Sequence, residues 1–457
     1  MKKQVFNPYL PCYEYIADGE PRVFDERLYI FGSHDKFDGK DYCENDYVTW
    51  SAPIDDLSDW RYEGVIFRKD QDPRPGNLYA PDVVKGLDGR YYLYYSKADT
   101  SVISVAACES PGGKYEYLGD VSYPDGRVMG EGADEYYHFD PSVLIDEGRV
   151  WLYSGSGQYS LKDKNQHKRV GCMVIELEQD MLTVKQPPKV LFPGSKRFLT
   201  RTFFEGPSAR KIGDLYYLVF PTQDMTGLNY ATSRYPDRDF TLREPIHSTS
   251  DVGLGKYSLQ NPAYPLGNNH GGLVCIRGQW YIFDHRMTNR TMFSRQGVAE
   301  PVTIGADGSI SRAESTSCGL NGGPLRAEGT YPAYIACNLL RGSLLSGCPY
   351  ITQDKPDGDT AARQYVAGIR AGSRVGYKYF DFPEEPLTLS ICYRCTGKGT
   401  LKIMQSDSGS PVGTITVSGT SQWTRETCVI HQKPGKSPLY FRYSGSGSLE
   451  ILDFTFT

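Results

Sequence analysis

The sequence predicts an all-β protein: a five-bladed β-propeller over residues 1–320, a connecting segment over 321–343, and a β-sandwich of jelly-roll type over 344–457. Three observations predict it. The chain of 457 residues is rich in Tyr (35), Gly (48) and Pro (29), and aromatics make up 13% of it; aromatic-rich runs broken by turn residues are strand signals. One strand pattern recurs five times within the first 320 residues. Beyond about Ser315 it gives way to shorter alternating runs, and the chain is longer than one core usually serves, so two domains are expected.

The repeat is an alternating aromatic strand closed by small or polar residues. It reads Arg27-Leu-Tyr-Ile-Phe-Gly-Ser33, then Arg90-Tyr-Tyr-Leu-Tyr-Tyr-Ser96, then Arg149-Val-Trp-Leu-Tyr-Ser-Gly155. Leu215-Tyr-Tyr-Leu-Val-Phe-Pro221 and Gln279-Trp-Tyr-Ile-Phe-Asp-His285 complete it. Tyr29, Tyr92, Trp151, Tyr217 and Tyr281 fall in register at intervals of 63, 59, 66 and 64 residues. A unit of that length is too long for a solenoid repeat and holds a four-stranded propeller blade with generous loops. Hairpin turn residues precede the strands, as in Leu87-Asp-Gly-Arg90 and Lys211-Ile-Gly-Asp214.

Ten to twelve residues before each anchor stands an ionisable residue in a small or proline-rich setting: Asp18, Asp82, Asp140, Glu205 and His270. Singly, an Asp-Pro or Asp-Gly pair does no more than start a turn. Five in register on innermost strands converge on one axis, where like charges raise one another's pKa. Such crowding marks functional sites. Two carboxylates across a small pocket, with no nucleophile motif nearby, suit acid–base glycoside hydrolysis, and a third carboxylate is expected beside the acid to keep it protonated.

After about Leu344 the runs Ser373-Arg-Val-Gly-Tyr-Lys-Tyr-Phe, Leu387-Thr-Leu-Ser-Ile-Cys-Tyr-Arg and Leu449-Glu-Ile-Leu-Asp-Phe-Thr-Phe alternate with period two between Gly and Ser turns, which suggests the sandwich. A net charge of −5 disfavours nucleic acid as a partner. No apolar run reaches membrane-spanning length, and Met1-Lys-Lys-Gln-Val-Phe-Asn-Pro lacks the apolar core of a signal peptide. The eleven cysteines form no framework and suit reduced thiols. A cytoplasmic protein is expected.

The ordered segments Ala17-Asp, Ala80-Pro-Asp, Phe139-Asp-Pro-Ser-Val-Leu-Ile-Asp, Glu205-Gly-Pro and His270-Gly-Gly, each leading into its aromatic strand, resemble glycoside hydrolase family 43 from about Asn7 to Arg286. The resemblance implies an inverting glycosidase with Asp18 as general base, Glu205 as general acid and Asp140 tuning and orienting the acid. It implies a β-xylosidase or α-L-arabinofuranosidase acting on hemicellulose- or arabinan-derived oligosaccharides; exo action is expected from the cytoplasmic location and from long loops that close one end of the pocket. Tyr79 stands where the family often has a Trp, as a wall of the sugar subsite. Arg286 resembles its active-site arginine. Asp82 joins the substrate-binding set, and His34 and Asp35 are candidates for the pocket entrance. No cofactor is required, although His270 matches a histidine that in some members holds a structural calcium near the axis. This chain reads Asp18-Gly-Glu-Pro21 where the family has Asp-Pro, which leaves Glu20 as a rival base. Val412-Gly-Thr-Ile, Trp423 and the last Asp-Phe segment resemble a family 6 carbohydrate-binding module. The rival readings are a non-catalytic sugar-binding propeller, and a fructan-cleaving hydrolase whose Asn-Asp-Pro-Asn motif is not found here.

Overall fold

Each aromatic repeat becomes the second strand of its own antiparallel sheet, because its alternating large side chains are buried on both faces; Tyr29, Tyr92, Trp151, Tyr217 and Tyr281 are all buried. The computed structural model describes residues 3–157, 167–194, 202–341 and 347–457. Sheets I–IV have four strands each and sheet V three, every strand pairing with its neighbour in sequence. Their first strands are Ile16–Phe24, Leu78–Lys85, Ser142–Asp146, Ser208–Ile212 and Leu273–Ile276. Apart from three short 3-10 turns, the named elements among the described residues are all strands.

Register places the first strands in layers. The anchors pair with Arg22, Val84, Leu144, Arg210 and Val274. Two residues earlier on each strand stand Glu20, Asp82, Ser142, Ser208 and Gly272. These side chains meet across the sheets. Ser142 Oγ donates to Asp82 at 3.0 Å and Ser208 Oγ to Glu20 at 3.1 Å. A Cβ on Gly272 would sit 2.4 Å from Ser208 Oγ and 2.8 Å from Glu20 Oε2, so the fifth position has room only for glycine. Guanidinium groups from the Arg22 and Arg210 layer close the set: Arg22 donates to Asp82, and Arg210 to Glu20 and to the Leu273 carbonyl. The first strands of the five sheets therefore meet through these side chains.

The C-terminal part holds two six-stranded sheets. One is built on Ser373–Phe382, Gly435–Gly445, Gly399–Met404 and Gly413–Val417, the other on Gln364–Ile369, Leu449–Phe456, Leu387–Cys395 and Thr420–Ile430. Their inner side chains, including Tyr377, Phe441, Ile391 and Phe454, form one buried cluster. The stretch 321–343, expected as a connector, instead supplies Leu325–Arg326, Gly329–Pro332 and Asn338–Arg341 to these sheets. Such strands are too short to leave a periodic signal in sequence.

Candidate active site

Asp18, Asp140, Glu205 and His270 line one cavity of about 350 Å³ beside the starts of the first strands. Asp18 sits in a bulge between Ala17 and Glu20, where the ladder shifts register. Asp140 and Glu205 lie just ahead of their strands. Asp18 and Asp140 have φ values of 54° and 46°, in the left-handed region that non-glycine residues rarely enter; strained backbone of this kind clusters at functional sites. The His270 imidazole joins the acids, with Nδ1 3.9 Å from Asp18 Oδ1 and 4.0 Å from Asp140 Oδ2. The Gly206 backbone packs so closely on that ring that a Cβ would lie 2.8 Å from it.

The carboxyl groups sit in opposed environments. Burial would raise the Asp18 carboxyl, but the Arg295 guanidinium overcomes it, with help from the neighbouring His285 and His270 rings, and the group falls to about 2. Arg295 Nη1 contacts both Asp18 oxygens at 2.9 and 3.1 Å. The Asp18 backbone N–H donates to His285 Nδ1 at 3.2 Å, so that ring keeps its proton on Nε2, and burial holds it neutral. Glu205 moves the other way. Burial, reinforced by the Asp18 charge and opposed by Arg169 and Arg295, raises it to about 7. Asp140 is also pushed well up, by burial and then by Glu205 and Asp18. One carboxylate thus stays ionised while two carboxyls favour their protons, which is how environment separates an acid from a base.

Tyr79 lines the cavity with Tyr42, Tyr137, Phe139 and Phe204, flat apolar faces suited to sugar rings. The remaining expected residues lie elsewhere. Asp82 is fully buried and bound to Arg22 at 2.5 Å; in register it matches Glu20, one layer below the cavity. Asp35 is buried behind the site and pairs with Arg295 at 2.8 Å, so it positions that arginine. His34 binds Glu14 at 2.8 Å in a separate hollow. Arg286 donates to the Tyr334 and Ala336 carbonyls, joining sheet V to the C-terminal sheets. The arginine on Asp18 is Arg295, nine residues on, at the start of the last strand of sheet V. Arg169 also lines the cavity, stacked 3.9 Å over Tyr137. Neither arginine falls within the repeated pattern. Asn268 and Asn269 do flank His270 in the legible Asn-Asn-His-Gly-Gly run, and both line the cavity.

A paired ionised carboxylate and protonated carboxyl, in an aromatic-walled cavity on an all-β frame, define a glycosidase that works by acid–base chemistry. The chain belongs to glycosyl hydrolases family 43, whose model matches residues 22–310. A protein named xylosidase/arabinosidase from Thermoclostridium stercorarium is 45% identical over all of this chain and 99% of its own. An arabinoxylan arabinofuranohydrolase from Paenibacillus polymyxa is 24% identical over 96% of this chain and 72% of its own. Among solved structures, a family 43 arabinoxylan arabinofuranohydrolase from Bacillus subtilis, in complex with cellotetraose, superposes with a TM-score of 0.55 at 20% identity, covering 99% of this chain and 97% of that one.

Catalysis in this family needs no cofactor. A calcium ion takes six to eight oxygen ligands, waters among them, and the described residues around His270 do not supply that set by themselves. Among the described residues no three His, Cys, Asp or Glu side chains gather as a metal-binding group. His270 presents a nitrogen to two carboxylates, and the acids of the next layer are already neutralised by Arg22 and Arg210. What Glu20 Oε1 lacks among the described residues is a single hydrogen-bond donor, which a water supplies as well as any side chain.

Proposed function

We propose that the protein is an inverting, exo-acting β-xylosidase or α-L-arabinofuranosidase acting on oligosaccharides released from hemicellulose or arabinan. The substrate class rests on the full-length relative named for both activities. Exo action rests on a cavity of about 350 Å³, near the lower limit for small-ligand pockets. We read sheets I–V as the blades of a five-bladed propeller, and the paired C-terminal sheets as a β-sandwich beginning at about residue 325.

The observation that carries the mechanism is the opposed ionisation of Asp18 and Glu205 in one cavity. Asp18, ionised and held by Arg295, takes a proton from water. Glu205, protonated near neutrality, donates to the departing glycosidic oxygen. The water attacks the anomeric carbon from the face opposite the leaving group, which inverts configuration. Asp140 shares the cavity with Glu205, and whatever negative charge it carries favours the Glu205 proton, as one carboxylate raises another. Asp18 is favoured over Glu20 as the base because Asp18 lines the cavity, whereas Glu20 lies one layer below it against Arg210 at 2.8 Å.

The test is hydrolysis of p-nitrophenyl xyloside and arabinofuranoside, with the first-formed anomer followed by proton NMR. Asp18→Asn and Glu205→Gln are expected to lower kcat by about 10³-fold or more; single acid–base groups contribute roughly 10²–10⁴. A retained anomer, or an Asp18→Asn enzyme of near-normal rate, overturns the assignment.

A further inference from the structure

Three cations stand side by side on adjacent strands of the first C-terminal sheet: Arg374 is paired in register with Arg442, and Arg442 with Lys402. Like charges directly opposite one another destabilise a sheet. Lys256, from the loop ahead of sheet V, brings a fourth to the same hollow of about 540 Å³. One carboxylate, Asp407, serves them, pairing with Lys256 and Arg374 and lying 3.9 Å from Arg442. The balance is strongly positive on a chain whose net charge is −5. Arg374 Nε and Arg442 Nε are shielded from solvent and have no hydrogen-bond partner among the described residues. The crowding also lowers the Lys256 ammonium, through burial and then the two arginines.

We propose that this hollow binds the carboxylate of an acidic sugar, a uronic acid carried as a branch on the oligosaccharide. The inference rests on the hemicellulosic substrate reading above. Arginine forks bind carboxylates in bidentate geometry, and two guanidinium groups with Lys402 and Lys256 beside them, served by one carboxylate, form a receptor for one. The volume exceeds what a lone inorganic oxyanion fills and leaves room for the ring. Asp407 occupies the receptor in the free protein and competes with the ligand. No residue of this hollow lines the catalytic cavity, so it acts as a second site that anchors charged chains.

Calorimetric titration of the Glu205→Gln protein, which blocks turnover, with xylotriose bearing one glucuronic acid branch tests this against unbranched xylotriose and inorganic phosphate. The branched probe is expected to bind at least about tenfold more tightly than the unbranched one, because charge-assisted hydrogen bonds are the strong ones. Adding Lys402→Ala and Arg442→Ala abolishes the difference, and adding Asp407→Asn widens it by removing the competitor. In an otherwise normal chain the same three substitutions leave aryl glycoside hydrolysis unchanged. Equal binding of the two sugars, a preference that survives Lys402→Ala/Arg442→Ala, or phosphate binding as tightly as the branched sugar overturns the proposal. Loss of the proposed catalytic activity is read separately, from aryl glycoside hydrolysis by the unsubstituted protein.

Discussion

Arg295 is the residue on which the proposed chemistry turns. Its guanidinium spans Asp18 and Asp35 while buried to 2% exposure, so the charge that keeps the proposed base ionised is itself fixed by a second carboxylate. Burial governs Glu205 instead, and its proton is retained up to about pH 7. We therefore expect kcat/KM to fall above about pH 7 as Glu205 ionises, while the Asp18 limb lies near pH 2; a pH–rate profile on p-nitrophenyl xyloside checks this. The same proton affects folding. A carboxyl raised in the folded state stabilises the fold fully below its ordinary range, near 4.5, and the contribution disappears as pH rises through about 7. Glu205→Gln lacks that slope. Urea unfolding should show the variant gaining on the unsubstituted protein by on the order of 3 kcal/mol between pH 4 and pH 8, because each tenfold change in proton affinity is worth about 1.4 kcal/mol.

At the scale of the strands, a displacement of two residues separates catalysis from architecture. Asp18 and Glu20 share the strand Ile16–Phe24, yet the first faces the cavity and the second ties that strand to sheet IV through Arg210. Glu20→Gln is expected to retain hydrolysis within about tenfold and to lose about 2 kcal/mol in denaturant unfolding, since it weakens a buried pair without deleting the hydrogen-bonding partner. Because guanidinium groups neutralise this layer, dialysis against a chelator is expected to leave both activity and thermal midpoint unchanged. The repeat makes the five sheets legible in the sequence: the aromatic anchors fix each central strand, and counting back from them reaches Asp18, Asp140, Glu205 and His270. The same count misplaces Asp82. In sheet II the bulge lies between Tyr79 and Asp82, so the aspartate enters the regular ladder opposite Tyr94, where Glu20 stands opposite Phe31 in sheet I. Bulges are invisible to spacing alone. Arg295 escapes the count for a different reason: it reaches the cavity from a third strand, 277 residues from Asp18, and no local pattern encodes that encounter.

Across the whole molecule, the five-sheet part and the C-terminal sheets are fastened by buried polar contacts as well as by shared core. Tyr264, ahead of sheet V, belongs to the C-terminal hydrophobic cluster, and Arg286 donates to carbonyls of Tyr334 and Ala336. Lys378 reaches back to Asp251 at 2.8 Å and Glu314 at 2.9 Å, with Lys378 and Asp251 both buried. Charges taken out of water in this way are held by their partners, and deleting one partner leaves the other uncompensated at a cost of about 3–5 kcal/mol. Lys378→Met keeps most of the side-chain volume while stranding Asp251, so it should lower stability by about that amount without touching the cavity. If the two parts are one cooperative unit, calorimetry of the variant will show a single transition shifted down as a whole. Were they independent, a separate early transition would appear and aryl glycosidase activity would outlast it. The Arg286 and Tyr264 contacts argue for the first outcome, because unfolding the C-terminal sheets would uncover Tyr264 ahead of sheet V and Arg286 on the strand that leads to Arg295, and so loosen the charge on which Asp18 depends.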